Sequence, residues 1–316
     1  MSDSEFGSIL TKDQRMKEIL RIAESVASSK ATVLIKGESG TGKELLARFI
    51  HRKSARSDKK FVAINCAALP DGLLESELFG HERGAFTGAI GSKPGKFEIA
   101  TDGTLLLDEM SEMALHLQGK ILRAIQENEI ERVGGQHTIK VNVRIVATTN
   151  RDLKEMVKQG LFREDLYYRL NVIPLEIPPL RERFKDIEVL ANHFLTVSNI
   201  VNHKSVSGFD QDAIKRLLSW GWPGNVRELE NVIERAVLLS KGSSITDAEL
   251  ESIHLMDENR PKSLQPGMTV SEVEKLLILR TLEFTSQNRT QAARMLGISI
   301  RTLRNKLQEY REGGIS

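Results

Sequence analysis

Val33-Leu34-Ile35-Lys36-Gly37-Glu38-Ser39-Gly40-Thr41-Gly42-Lys43-Glu44 decides the fold. An apolar, β-branched run of strand length breaks into a glycine-rich turn, and a helical pattern opens at Lys43. The turn fits GxxxxGK, the P-loop. Its glycines let backbone N–H groups turn inward around phosphate oxygens, the opening helix presents its positive end, and the lysine reaches the terminal phosphates. Gly37, Glu38, Ser39, Gly40, Thr41, Gly42, Lys43 and Glu44 are therefore the expected nucleotide-binding residues, with ATP and Mg2+ as ligands. Glu44 stands where Ser or Thr would place a hydroxyl on magnesium, and a carboxylate there can hold the ion directly or through water.

Outward from this turn, short β-branched runs alternate with helical patterns: Phe61-Val62-Ala63-Ile64, Gly103-Thr104-Leu105-Leu106-Leu107 and Val143-Arg144-Ile145-Val146-Ala147. The alternation predicts a doubly wound α/β domain with a buried parallel sheet over residues 1–174. The second of these runs leads into Asp108-Glu109. One carboxylate suits magnesium, and the other can polarise a water for in-line attack on the γ-phosphate. Two acids ending a strand are also common as solvated turn residues, and the P-loop beside them favours catalysis.

Beyond Pro174, Pro178 and Pro179 the strand signals stop, and 186–196, 210–219 and 226–240 read as helices of a lid subdomain over 175–250. Residues 251–268 are polar and proline-bearing, as linkers are. Thr269-Val270-Ser271-Glu272 is a capping box, opening a helix whose Val270, Val273 and Leu277 share an apolar face. Two shorter helices, 290–296 and 300–310, complete a small all-α unit over 269–316.

With 316 residues, 40% hydrophobic and 28% charged, the chain suits one large domain and one small one. A net charge of +2 does not by itself argue for nucleic acid, but residues 288–312 carry six basic side chains against two acidic ones. Gln291-Ala292-Ala293-Arg294-Met295-Leu296-Gly297-Ile298-Ser299 places small residues where helices touch, a glycine at the turn and a serine as N-cap, as in a helix-turn-helix. Arg301, Thr302, Arg304, Asn305 and Lys306 then form a polar face suited to the DNA major groove, with Leu303 and Leu307 turned inward. A solvated basic helix is the plainer alternative. The single cysteine, Cys66, reads as a small buried side chain. No run approaches the ~20 apolar residues of a membrane span and the first residues lack the parts of a signal peptide, so a cytoplasmic protein is expected.

Gly84-Ala85-Phe86-Thr87-Gly88-Ala89 is the rarer signal. With Asn65-Cys66-Ala67-Ala68-Leu69, Glu77-Leu78-Phe79-Gly80-His81-Glu82, Pro179-Leu180-Arg181-Glu182-Arg183 and Trp222-Pro223-Gly224-Asn225-Val226-Arg227-Glu228-Leu229, it resembles the sigma-54-dependent activators, or bacterial enhancer-binding proteins. These are AAA+ motors. The resemblance implies that Gly84, Ala85, Phe86, Thr87, Gly88 and Ala89 contact sigma-54 under nucleotide control. It implies a switch role for Asn65, restraining Glu109 until the γ-phosphate is sensed, sensor I at Thr149 and Asn150, and sensor II at Arg227. Arg163 and Arg169 match arginine fingers reaching a neighbouring subunit's ATP in a hexameric ring, although Glu164 and Asp165 are also candidate salt-bridge partners. Residues 128–140 correspond to a second loop beside the first.

The C-terminal unit resembles a Fis-type DNA-binding domain, whose first helix pairs two subunits and which binds enhancer DNA. The implied partners are sigma-54, RNA polymerase, enhancer DNA and further copies of the chain. A regulatory domain, often a phosphorylatable receiver of a two-component system, is expected to be truncated or replaced by a separate partner. Within the same fold the rival is an AAA+ protein remodeller or replication-type ATPase. From another class, it is a nucleotide-independent DNA-binding repressor.

Overall fold

The computed structural model describes residues 9–86, 88–240, 242–258, 269–285 and 288–312. They form two compact units, Met1–Leu250 and Glu251–Ser316. The first begins with α1 (Gln14–Val26), β1 (Val33–Lys36), α2 (Lys43–Arg52), β2 (Phe61–Asn65) and α3 (Asp71–Phe79). It continues through β3 (Thr104–Asp108), α4 (Leu115–Glu127), β4 (Arg144–Thr149), α5 (Leu153–Lys158), α6 (Glu164–Leu170) and β5 (Ile173–Glu176). The five strands pair in parallel in the order β2-β3-β4-β1-β5.

Side-chain alternation along each strand splits the core between the two faces of this sheet. Leu34, Leu105, Leu107, Ile145 and Ala147 pack with Leu74, Leu78, Leu117 and Ile121. Val33, Ile35, Leu106, Val146 and Leu175 pack with Met16, Ala23, Leu46 and Ile50 from α1 and α2. A strand covered on both faces needs apolar residues at every position, which is why Leu105-Leu106-Leu107 is an unbroken run with no exposed member.

The fifth strand was not among the runs read from the sequence, and it crosses the boundary expected between 174 and 175. β5 pairs with β1 alone, so it is an edge. Ile173 N and Ile177 N donate to Thr32 O and Lys36 O, so the odd-numbered residues bond toward β1, and the N–H that Pro174 lacks would point away from it. The strand runs across 174/175 and carries the α/β part to Glu176. Residues 128–140, read as a loop, hold an antiparallel hairpin of Glu129–Glu131 with Thr138–Lys140.

The lid consists of α7 (Phe184–Asn202), α8 (Gln211–Ser219) and α9 (Asn225–Leu239), followed by α10 (Asp247–Glu258). Leu190, Leu195, Leu217, Trp222, Leu229, Val232 and Ile233 are buried in this part of the chain, and Trp222 Nε1 donates to Leu217 O at 2.9 Å. α10 extends through the first eight residues of the expected linker, and 259–268 lie outside the described residues.

The C-terminal unit holds α11 (Val270–Phe284), α12 (Arg289–Met295) and α13 (Ile300–Glu312) around Ile278, Leu282, Ala292, Ala293 and Leu303. The capping box is formed: Thr269 N and Oγ1 donate to Glu272 Oε2, and Glu272 N donates to Thr269 Oγ1. The apolar face differs from the expected one, because Ile278 and Leu282 enter the core while Leu277 is 54% exposed. No helix among the described residues is long and apolar enough to cross a membrane.

Candidate nucleotide-binding and DNA-binding sites

The carboxyl ends of β2, β3, β4 and β1 bring Asn65, Asp108, Thr148 and the P-loop to one edge of the sheet, where open α/β sheets bind ligands. Gly37, Gly40 and Gly42 have φ of 156°, 77° and 101°, so the turn winds through backbone angles that the last two positions can adopt only at a cost with any side chain. Lys43, 6% exposed, points back across this turn. Its Nζ donates to Gly37 O at 2.9 Å and Glu38 O at 3.3 Å, and lies 3.1 Å from Glu109 Oε1.

Glu109 occupies the left-handed region at φ 55°, a conformation that costs a non-glycine residue about 1 kcal/mol or more. Its backbone N donates to Thr148 Oγ1 at 3.0 Å, and its Oε2 is buried with no hydrogen-bond partner. Asp108 is held from both sides: Thr148 Oγ1 donates to Oδ1 at 2.5 Å and Asn65 Nδ2 donates to Oδ2 at 3.2 Å. The structure thus pairs Asn65 with Asp108, where restraint of Glu109 was expected.

Thr148 was not singled out by its sequence. The resemblance implied sensor I at Thr149 and Asn150, the two residues that follow it. Thr149 is buried with its hydroxyl donating to Arg151 O, and Asn150 is exposed. Successive strand residues face opposite sides, so a shift of one selects the other face.

Magnesium would find hard carboxylate oxygens here, side by side at Asp108 and Glu109, one of them the orphaned Glu109 Oε2. Two adjacent carboxylates fit an ion that completes its shell with phosphate and water. Glu44 lines the same cleft, of about 220 Å³, but forms an i,i+4 pair with Arg48 at 2.7 Å. Cys66, beside these acids, is buried, and burial with the charges of Asp108 and Glu109 pushes its thiol up to about 12, which leaves it unreactive.

The lid docks directly on the P-loop. Val226 N and Arg227 N, opening α9, donate to Gly40 O at 3.0 and 3.4 Å, and Arg227 Nη1 donates to Ser39 Oγ at 3.3 Å. Arg181 grips Glu38 with two bonds of 2.9 and 2.6 Å, and Asn225 Nδ2 donates to Glu38 Oε2 and Ser39 O. The Arg181 hydrogen bonds, then that of Asn225, hold the Glu38 carboxyl down at about 2. Behind the phosphate cleft a second cavity of about 440 Å³ is lined by Ile9, Leu10, Leu45, Leu190, Phe194 and Val226 among others. Apolar walls against a P-loop suit a nucleotide base. These residues lie on three separate helices and on the segment before α1, and no local pattern announced them.

Gly84 and Gly88, at φ 82° and 111°, shape a closed turn in which Gly84 N donates to Ala89 O at 2.9 Å. Phe86 is 41% exposed and its ring meets His81 edge-on at 5.1 Å, while Ala85 packs beside Gly134 and Ala89 is buried. Thr87 lies outside the described residues. Arg132 joins the turn's base to the adjoining hairpin through Glu82 at 3.0 Å and Glu98 at 2.7 Å. Arg163, the N-cap of α6, and Arg169, in its last turn, are exposed: the first pairs with Asp165 at 2.8 Å, and the second donates to Ile125 O at 3.3 Å.

In the C-terminal unit Ser299 caps α13, its Oγ accepting from Thr302 N at 3.0 Å, and Gly297 makes the turn at φ 67°. Arg301, Thr302, Arg304 and Asn305 are exposed. Lys306 is instead half-buried and paired with Glu274 at 2.9 Å.

Residues 9–176 match the Sigma-54 interaction domain, 181–266 the AAA+ ATPase lid domain, and 269–310 the bacterial regulatory protein, Fis family. The chain is 50% identical over 327 residues to the transcriptional regulatory protein FlbD of Caulobacter vibrioides, covering 97% of this chain and 71% of that protein. It is 52% identical over 314 residues to the regulatory protein AtoC of Escherichia coli, covering 97% and 68%. The crystal structure of NtrX from Brucella abortus in complex with ATP superposes with a TM-score of 0.72 at 33% identity, covering 96% of this chain and 69% of that one, and its ADP complex with 0.73 at 31%, covering 96% and 69%. The P-loop sheet, the docked lid and the helix-turn-helix thus coincide with three matched modules in one order, and the chain belongs to the sigma-54-dependent transcriptional activators of the NtrC family, built on an AAA+ ATPase domain.

Proposed function

We propose that this chain hydrolyses ATP in a ring, hexameric by family, and uses the cycle to remodel sigma-54 RNA polymerase at promoters it reaches from enhancer DNA. The observation that carries the reading is the Lys43–Glu109 ion pair over an orphaned Glu109 Oε2. A triphosphate in the P-loop offers Lys43 a stronger anionic partner, and backbone N–H groups of the turn bind the same oxygens. Lys43 then leaves Glu109, whose carboxylate is free to take a proton from the attacking water. Asn65 and Thr148 keep Asp108 oriented throughout, so the two carboxylates stay in different roles.

Asp108 would hold magnesium with Glu109 beside it, and when bound the ion neutralises charge building on the phosphates. Glu44 lines the same cleft with its Oε1 held by Arg48. Arg227, bonded to Ser39 from the lid, reports the phosphates to α9. Arg163 and Arg169, exposed at the N-cap and in the last turn of α6, serve the neighbouring subunit's nucleotide, and the turn bearing Phe86 presents the contact to sigma-54. Arg301, Thr302, Arg304 and Asn305 read or grip DNA, with Lys306 joining once it leaves Glu274. Exposed Leu277 offers α11 an apolar contact for a second copy.

In vitro transcription with sigma-54 polymerase on enhancer-bearing DNA tests the whole reading. Activation is expected with ATP, and none with a non-hydrolysable analogue or with the Glu109→Gln protein. Equal activation without hydrolysis would sink it.

A further inference from the structure

Asp186, near the start of α7, is fully buried, yet three residues that serve its carboxylate lie 173–175 positions away in the chain. Its Oδ1 accepts from Thr11 Oγ1 at 3.0 Å, Lys12 N at 2.6 Å and Asp13 N at 3.0 Å, and its Oδ2 accepts from Thr11 Oγ1 at 2.8 Å. Arg183 Nη1 stands 3.8 Å from Oδ2, and Arg183 Nη2 donates to Thr41 O in the P-loop at 3.4 Å. Immediately before the tethered residues, Ile9 and Leu10 form one wall of the 440 Å³ cavity, opposite Leu190 and Phe194 of the same helix that carries Asp186.

A buried carboxylate is stable only with its donors in place, so this tie is far stiffer than a surface contact. α7 belongs to the lid, and α9 of the lid bonds Gly40. Lid, tethered segment and base cavity are therefore connected through one side chain.

We infer that Asp186 is a positioning residue for ATP: it fastens residues 9–13 to the lid so that this segment closes the base cavity and follows the lid when nucleotide binds. The inference rests on the assignment of the cleft and its adjoining cavity to ATP. It predicts a selective effect. A ligand with a base gains from the tie, whereas a bare triphosphate, held in the phosphate cleft by the P-loop, Lys43 and Arg227, places nothing in the cavity that residues 9–13 close.

The test is calorimetric binding of ATP and of inorganic tripolyphosphate to the full chain carrying Asp186→Asn, Thr11→Val or Phe194→Ala. Asp186→Asn is expected to weaken ATP by about tenfold and Thr11→Val by about threefold, with tripolyphosphate unchanged in both, given that each removes or weakens a charge-assisted hydrogen bond. Thr11→Val removes a single hydroxyl at the rim of the tie and carries the test by itself should the buried substitution fail to fold. If Phe194→Ala weakens ATP selectively while the two tie variants bind it normally, the role of Asp186 is overturned. Equal loss of ATP and tripolyphosphate in the folded tie variants makes the tie merely structural and also overturns it. If Phe194→Ala leaves ATP binding unchanged, the base does not occupy this cavity, and the assignment falls together with the inference.

Discussion

At the scale of single residues, the groups proposed for the chemistry lie in local sequence patterns, and the groups that hold them do not. Lys43, Asp108 and Glu109 were legible because a P-loop and an acidic strand end are local patterns, but Thr148 was not, because only strand register tells which of two adjacent threonines faces Asp108. Lys43→Ala is expected to lose nucleotide binding. Glu109→Gln should keep ATP and lower turnover by about 10²–10⁴-fold, the range for loss of a positioned proton acceptor, and wild-type turnover would remove Glu109 from that role. Glu38 gives a pH handle. Its carboxyl is held at about 2 against an ordinary 4.5, so its contribution to lid docking is full above about 4.5 and is lost as pH falls from there toward 2. Both tryptophans, Trp220 and Trp222, sit in the lid, so intrinsic fluorescence should show a transition in that acid window that Glu38→Gln flattens. An unchanged profile in the variant would rule out Glu38 as its source.

Among elements, two of the three P-loop glycines, Gly40 and Gly42, separate conformational need from spatial need. A Cβ on Gly40 would lie 2.3 Å from Gly224 O, on the lid, in addition to the strain of its positive φ, whereas a Cβ on Gly42 meets nothing within 4 Å. Gly42→Ala should therefore cost about 1 kcal/mol of backbone strain, while Gly40→Ala should also push the lid away and cost a further 1–3 kcal/mol, as overpacking does. Urea unfolding of the two proteins measures the difference, and equal midpoints would mean that the lid does not rest on Gly40. The elements themselves were mostly legible, since apolar runs and helical periods are read over several residues. β5 was missed because a proline argues against a strand until its edge position is known, and Leu277 was assigned inward because the helix pattern alone offered two candidate apolar faces. In the DNA-binding unit, exposed Arg304 is expected to matter more than Lys306, which starts in an ion pair. Arg304→Ala should reduce the slope of log affinity against log salt for duplex DNA by about one phosphate contact, with a smaller change for Lys306→Ala. The reverse order would show that the Glu274 pair does not hold in solution.

For the whole molecule, the question is whether one chain contains a complete ATPase. The cleft holds Lys43, Asp108, Glu109 and Arg227, all from the same unit, but Arg163 and Arg169 are not among its lining residues. Arg163 is turned to Asp165 and Arg169 to the Ile125 carbonyl, exposed positions from which a partner's phosphates could draw them. An exposed pair of this kind is screened by water and salt and does not oppose transfer to a buried triphosphate. If the arginines act in trans, specific ATPase activity must rise with protein concentration, and Arg163→Ala must lower turnover by about 10³-fold or more while leaving ATP affinity in place. Mixing supplies the sharper outcome. Arg163→Ala and Glu109→Ala proteins are each expected to be inactive for different reasons, and a ring containing both would place some intact Glu109 sites against an intact Arg163 from the neighbour. Partial recovery of hydrolysis in the mixture is expected, peaking near equal proportions. Recovery absent at every ratio, together with a rate per subunit that stays flat across the assembly transition, would confine Arg163 to its salt bridge with Asp165 and leave the single chain as the catalytic unit.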